Sequence, residues 1–300
     1  MLNLLKRQVK RYPWLAHRYR QWRDATFERV EPRVTPFGFR LSGQRDMMNG
    51  TFEPAETTMI RKLVGNIDVF VDVGANIGYY VCHALQSNPE CRVVAIEPLP
   101  ANLRYLLRNV KANGWDHRCE IMPIAVSSEP AVVSLFGAGT GASLVRGWNG
   151  APDSSALLVP ANTLSNILAD RFANQRCLIM IDVEGHEGAV IAGAQSLLTR
   201  VPKPIWFVEI GLGEHIGGRA GNPAFRSVFD EFFAAGYDAW ACTSTPRRVS
   251  VEEIDSAVSR STSLGTHNFL FVDKGVDVSA MKATPGQGDA HGPTAASSFN

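Results

Sequence analysis

Three segments of this 300-residue chain concentrate side chains able to do chemistry, and each follows a short apolar run. The first is Val71-Asp72-Val73-Gly74-Ala75-Asn76-Ile77-Gly78. Its two glycines let the backbone turn tightly and bring a ligand against the main chain. The second is Ile96-Glu97-Pro98, in which Glu97 stands 19 residues past Gly78. That is near the interval of about 20 at which an acid meets a ribose diol, because a carboxylate can accept from both vicinal hydroxyls. The third is Ile181-Asp182-Val183-Glu184-Gly185-His186-Glu187, with four titratable side chains in six residues. Glu209, closing Trp206-Phe207-Val208-Glu209, adds a fourth carboxylate to the same rim as Asp182, Glu184 and Glu187, and His215 follows. Acids there also suit a helix N-terminus, a competing structural explanation that weighs most on Glu187.

The first segment departs from the dinucleotide pattern. Asn76 replaces the middle glycine that admits a pyrophosphate, and Asp72 places negative charge where a phosphate would sit. The ligand that fits has a free ribose diol, no phosphate and an ammonium group. S-adenosylmethionine has all three properties.

Apolar runs at Val69–Val73, Arg92–Ile96, Glu120–Val126, Ala131–Phe136, Leu178–Val183 and Pro204–Ile210 predict strands, most of them followed by segments with helical apolar spacing. Asp238–Thr243 and His267–Asp273 follow without a helical crossover, so one of them is expected to run antiparallel. The alternation predicts a doubly wound α/β sheet, whose ligands lie beyond the carboxyl ends of the strands. All three segments occupy such ends. Residues 54–274 are read as the catalytic domain, 1–53 as a basic arm with an irregular connection, and 275–300 as a disordered tail. Residues 137–161, rich in Gly, Ser and Ala, read as a long functional loop.

Charge supports the division. Residues 1–50 hold 11 Lys+Arg and 4 Asp+Glu, while residues 51–300 hold 19 and 25. A net-negative body disfavours nucleic acid as a partner. The amphipathic start of the arm, Leu2, Leu5, Val9 and Tyr12 with basic residues between, predicts contact with an anionic membrane surface or with the acidic body. Five scattered cysteines without metal spacing read as reduced core thiols of a cytoplasmic protein, and no structural metal is expected.

The strings VFVDVGANIGYY, AIEPLPANLRYLLRNV, LIMIDVEGHEGAVIAGA and FVEI resemble the FkbM family of S-adenosylmethionine-dependent methyltransferases, over about Val69 to Ile210. The resemblance implies the class I methyltransferase sheet, seven strands and mostly parallel, with the last inserted antiparallel. It implies a cofactor loop at Asp72, Gly74 and Asn76, with Gly78 beside it, ribose at Glu97, and adenine near Ala125. It also implies an acidic motif at Asp182, Glu184 and Glu187 with the later Glu209, and a loop at Ala142-Ser143-Leu144 over the site. Two positions depart from the family pattern: Ser165 where Asp is usual, and His186 where a small or apolar residue is common.

Family members act on small molecules and glycans, mostly by O-methylation, and a hydroxyl needs alignment and proton removal. Asp182, His186 or Glu187 is expected to take the proton. Asp182 also borders the cofactor, while Glu184, Glu209 and Ser143 meet the acceptor. A divalent ion on the acids is an alternative without a coordination count. Competing classes are a nicotinamide-dependent oxidoreductase, disfavoured by Asn76 and Asp72, and a non-catalytic binding protein, disfavoured by the intact rim.

Overall fold

The computed structural model describes residues 31–212, 222–276 and 278. The basic stretch at 1–30, His215 and nearly all of the tail lie outside these residues.

In chain order, the strand pair β1 (Arg33–Val34) and β2 (Arg40–Leu41) and the short helix α1 (Arg45–Met48) come first, followed by α2 (Pro54–Val64). The chain then runs β3 (Val69–Val73), α3 (Tyr79–Ser87), β4 (Arg92–Ile96), α4 (Pro100–Ala112) and β5 (Cys119–Met122). Next come β6 (Ala125–Val126), β7 (Ala131–Leu135), β8 (Leu157–Asn162) and α5 (Leu164–Leu168). After β9 (Cys177–Ile181) follow α6 (Glu187–Ala192), α7 (Gln195–Leu198), β10 (Ile205–Glu209) and α8 (Phe225–Ala234). β11 (Tyr237–Ala241), β12 (Arg247–Val249), α9 (Val251–Arg260) and β13 (Asn268–Asp273) complete the described chain.

The main sheet has the order β12-β11-β13-β10-β9-β3-β4-β5. β5, β4, β3, β9 and β10 are parallel neighbours. β13 enters between β10 and β11, antiparallel to both. This is the expected seven-stranded arrangement with its last strand reversed, and it is a class I methyltransferase sheet. β12 adds an eighth, antiparallel edge strand, which the short, arginine-rich Arg247–Val249 did not signal.

Two other expectations need correction. The run 120–126 splits: Cys119–Met122 stays in the main sheet, while Ala125–Val126 joins β7 and β8 in a separate three-stranded sheet. Residues 157–161 are therefore strand, and the loop ends near residue 156. The connection before α2 is also more ordered than expected, since Phe39, Leu41 and Met47 are buried in the core.

Strand periodicity decides which side each residue serves. Val69, Val71 and Val73 face the layer containing α5 to α8, whereas Phe70, Val93, Met180 and Phe207 face the layer of α2 to α4. Asp72, Glu97, Asp182 and Glu209 share the parity of this second set. All four carboxylates therefore emerge on the α2 to α4 side at the carboxyl edge. Among the described residues, no helix is long and apolar enough to cross a membrane, and all five cysteines are buried single thiols.

Candidate active site

The turn after β3 is built against its neighbours. The amides of Gly74 and Ala75 donate to the Ile96 carbonyl at 2.9 and 3.0 Å, and the Asp182 amide donates to Val73 O at 3.0 Å. Gly74 has φ +91°, and a Cβ there would lie 1.9 Å from the Asp182 carbonyl oxygen. The β3 and β9 ends are thus as close as backbones allow, which joins the glycine loop and the acidic segment into one rim. Asn76 follows in the left-handed region at φ 52°, and its buried Oδ1 has no protein partner.

Glu97 is 4% exposed. Its Oε2 accepts from the Asn76 amide at 2.8 Å and its Oε1 from the Leu99 amide at 2.7 Å. These two bonds fix the carboxylate plane and leave lone pairs for diol hydroxyls. Burial, only partly offset by these bonds, raises its pKa to about 7.

Two adjoining cavities share Gly74, Asn76, Thr140, Asp182 and Glu184. The first is a cleft lined by Glu97, Asn102, Ile124, Ala125, Leu135 and His186, with Ser143 and Leu144 as its cover. Its acid at one end and apolar walls at the other match a ribose joined to an adenine. The second, of about 220 Å³, is lined by Met47, Phe52, Glu53, Asp72, Tyr79, Tyr80, Met180 and Glu209. Asp72 is 2% exposed, and its Oδ2 has no protein partner. An orphaned buried carboxylate beside a glycine that clears the main chain fits an ammonium-bearing cofactor, whose charge would satisfy it.

Crowding sets the electrostatics. Burial, with Glu97 nearby, raises the Asp72 pKa to about 7. Burial and then the charges of Glu209, Glu184, Glu53 and Glu187 push Asp182 well above the usual range. Burial, followed by Glu184 and Glu53, raises Glu209 to about 8. Among the described residues, no group of three or more His, Cys, Asp or Glu side chains is arranged to hold a metal ion.

The loop after β7 closes over the acidic turn. Ser143 Oγ donates to the Glu184 carbonyl at 2.7 Å, and Trp148 Nε1 donates to Glu184 Oε2 at 2.8 Å. Glu184 itself is left-handed at φ 54°. The Trp148 ring lies so close to Gly185 that a Cβ there would come within 2.3 Å of it. These contacts hold the cover down and aim the Glu184 side chain.

The predicted residues therefore separate. Asp72, Gly74, Asn76, Glu97, Ala125, Asp182, Glu184, Glu209 and Ser143 line the two cavities. Gly78, expected at the cofactor, lines neither: a Cβ there would lie 2.5 Å from Leu106 Cδ1, so it serves helix packing. Glu187, expected as a proton acceptor, is 2% exposed and turned inward, with Oε1 accepting from the Gly185 amide at 2.8 Å. It braces the turn, the structural role that an acid at a helix start can also take. His186 lines the cofactor-side cleft and not the acid-rich cavity, its Nε2 3.1 Å from Ser127 Oγ. Burial lowers its pKa. Glu53, Tyr80, Asn102 and Trp148 were not among the candidates, and no spacing rule relates them to the glycine loop.

The family model of the methyltransferase FkbM domain matches residues 72–239. No curated protein matches the sequence. Among solved structures, the O-methyltransferase TomG of Streptomyces achromogenes, involved in tomaymycin synthesis and solved with S-adenosylmethionine, is 12% identical. The match covers 73% of this chain and 80% of that one, with a TM-score of 0.42. The O-methyltransferase of Bacillus cereus, solved with S-adenosylhomocysteine, is 11% identical over 75% of this chain and 83% of its own, also at 0.42. Cofactor-bound Rv0187 from MTB is 15% identical over 75% and 92%, at 0.39.

Proposed function

Because the chain belongs to the FkbM family of S-adenosylmethionine-dependent methyltransferases, we propose that it methylates a hydroxyl of a glycan or a small natural product. The observation that supports this reading is the acid-lined cavity joined to the cofactor cleft across Gly74 and Asp182. When bound, S-adenosylmethionine supplies an electrophilic methyl group on a sulfonium.

Glu97 would hold the ribose and Asp72 the ammonium, with Asn76 closing the loop around them. Asp182 borders both cavities and is the strongest candidate to receive the hydroxyl proton. Free of ligand, burial and then the neighbouring acids hold its pKa above the usual carboxylate range. A neighbouring positive charge favours the carboxylate and so prepares the base. Glu184, aimed by Trp148, and Glu209, on the adjacent strand, would orient the acceptor by accepting from its other hydroxyls. The Ser143 and Leu144 cover would limit competing water at the cofactor-side cleft.

The test is transfer of labelled methyl from S-adenosylmethionine to a panel of polyols, sugars and phenols, with Asp182→Asn measured alongside. We expect labelled methyl ethers, and a fall in kcat of about 100-fold or more in Asp182→Asn, as for loss of a general base, with cofactor affinity falling far less. A methylated amine as sole product, or unchanged kcat in the variant, would refute the reading.

A further inference from the structure

Among the described residues, the polar side chains that line the cofactor-side cleft without reaching the neighbouring cavity are Glu97, Asn102, Ser143 and His186. Three of them are already committed. Glu97 is oriented by two amides for the ribose. Asn102 donates its Nδ2 to the Gly139 carbonyl at 3.2 Å. Ser143 donates to the Glu184 carbonyl and accepts from the Val145 amide at 2.9 Å. His186 differs, because among the described residues its ring is hydrogen-bonded through Nε2 alone, to Ser127 Oγ at 3.1 Å. The other nitrogen, Nδ1, retains its bonding capacity for a ligand in the cleft.

The Ser127 contact also places the ring. Ser127 directly follows β6, whose Ala125 and Val126 form an apolar wall of the cleft together with Ile124. Glu97 marks the ribose end, so this wall meets the base. Ser127 is rigidly held: it is buried, and its amide donates to the Asn162 carbonyl at 3.0 Å. Its own carbonyl packs so closely on α6 that a Cβ at Gly193 would lie 2.2 Å from the oxygen. The His186 carbonyl in turn accepts from the Ala189 and Val190 amides at 3.1 and 3.2 Å. A ring fixed through both its backbone and its far nitrogen loses little freedom when a ligand arrives. Burial lowers its pKa, so at neutral pH the imidazole carries one N–H and one lone pair.

We infer that His186 reads the base of the cofactor: Nε2–H donates to Ser127, and Nδ1 accepts from the 6-amino group of adenine. Ser127 is the positioning residue that fixes the tautomer, and His186 is the specificity-determining one. The ligand class selected is a 6-aminopurine nucleoside. An amino group entering an apolar pocket without a partner would lose its water for nothing and weaken binding, whereas one met by a lone pair strengthens it. The sign of the amino group's contribution therefore reports whether the partner exists. The inference rests on the cofactor reading of this cleft and is independent of which acceptor is methylated.

The experiment titrates the full chain by calorimetry with S-adenosylhomocysteine and with its twin in which hydrogen replaces the 6-amino group. We expect S-adenosylhomocysteine to bind at least about fivefold tighter, near the contribution of one hydrogen bond. His186→Leu should bring the two ligands within about twofold of each other, chiefly by weakening S-adenosylhomocysteine. His186→Phe, a ring without nitrogens, repeats the comparison in case His186→Leu fails to fold. A histidine that only supports the turn would, when replaced, weaken both ligands alike and leave their ratio intact, and that result overturns the inference. Equal binding of the two ligands by the unaltered chain, or tighter binding of the twin, overturns it without any variant. If neither ligand binds, the cofactor reading itself falls, so the two failures are distinguishable.

Discussion

Binding of S-adenosylmethionine should expel protons, and the number follows from the crowded rim. Without ligand, Asp72 titrates at about 7 and Glu209 at about 8, both raised first by burial. A unit positive charge about 5 Å from a carboxylate, at an effective dielectric of about 20, stabilises the ionised form by ~3 kcal/mol. That lowers a pKa by about 2 units. At pH 7 a group at about 7 then loses ~0.5 proton, and one at about 8 loses ~0.8. The expected release from these two groups is therefore about one proton per cofactor at pH 7, vanishing by about pH 10, where both are already ionised, and ionisation of Asp182 would add to it. Calorimetry in buffers of different ionisation enthalpy reads this number directly as the slope of observed enthalpy. S-adenosylhomocysteine lacks the sulfonium and should release fewer protons. Zero release or proton uptake at pH 7 would refute the reasoning, as would equal release by the two ligands, which would mean that the sulfonium does not approach the acids.

Other substitutions separate binding from chemistry. Gly74→Ala must hold φ +91° with a Cβ driven into the Asp182 carbonyl; strain alone costs about 1–2 kcal/mol, so a loss of at least ~2 kcal/mol in denaturant unfolding is expected, together with lost cofactor binding. Glu97→Gln offers one oxygen where two amides now donate; cofactor affinity should weaken about 10- to 100-fold by calorimetry, with kcat at saturation nearly unchanged. Trp148→Phe keeps the ring over Gly185 but removes the donor to Glu184, which should lower kcat by about fivefold, near the ~1 kcal/mol of one hydrogen bond; full activity would make that contact idle. Acids with raised pKa values contribute stability that is complete below their unfolded values near 4 and is lost as pH rises through the folded ones. The thermal midpoint of the ligand-free protein should therefore fall between about pH 4 and 8, and the cofactor should reverse part of that fall.

Much of the site could be read from periodicity. Asp72, Glu97, Asp182 and Glu209 each end a recognisable strand, and a parallel sheet places such ends along one edge. What periodicity could not supply was contact made by segments without it. Glu53 precedes a helix whose pattern concerns its buried face, and nothing in the spacing points the acid at a strand end far along the chain. Trp148 sits in a Gly-rich loop whose path depends on the hidden strand Leu157–Asn162, itself disguised by Pro160 and by exposed Leu157 and Leu158. Glu187 was ambiguous in the sequence for a different reason. An acid at a helix start is favoured by the helix dipole whether or not it does chemistry, and here it bonds its own turn.

The segment that supplies Met47, Phe52 and Glu53 reaches the cavity from before the first strand of the main sheet, whereas the cofactor contacts come from strand ends. One wall of that cavity is thus built by a part of the chain outside the strand ends that supply most of the rest. Substituting the cavity-lining Met47, Phe52 and Glu53 would reshape that wall, whereas Phe39 and Leu41 of the same segment belong to the core and have to be kept. On the proposed reading, acceptor choice would depend in part on this segment, and a library confined to its cavity-facing residues offers a direct route to new acceptors.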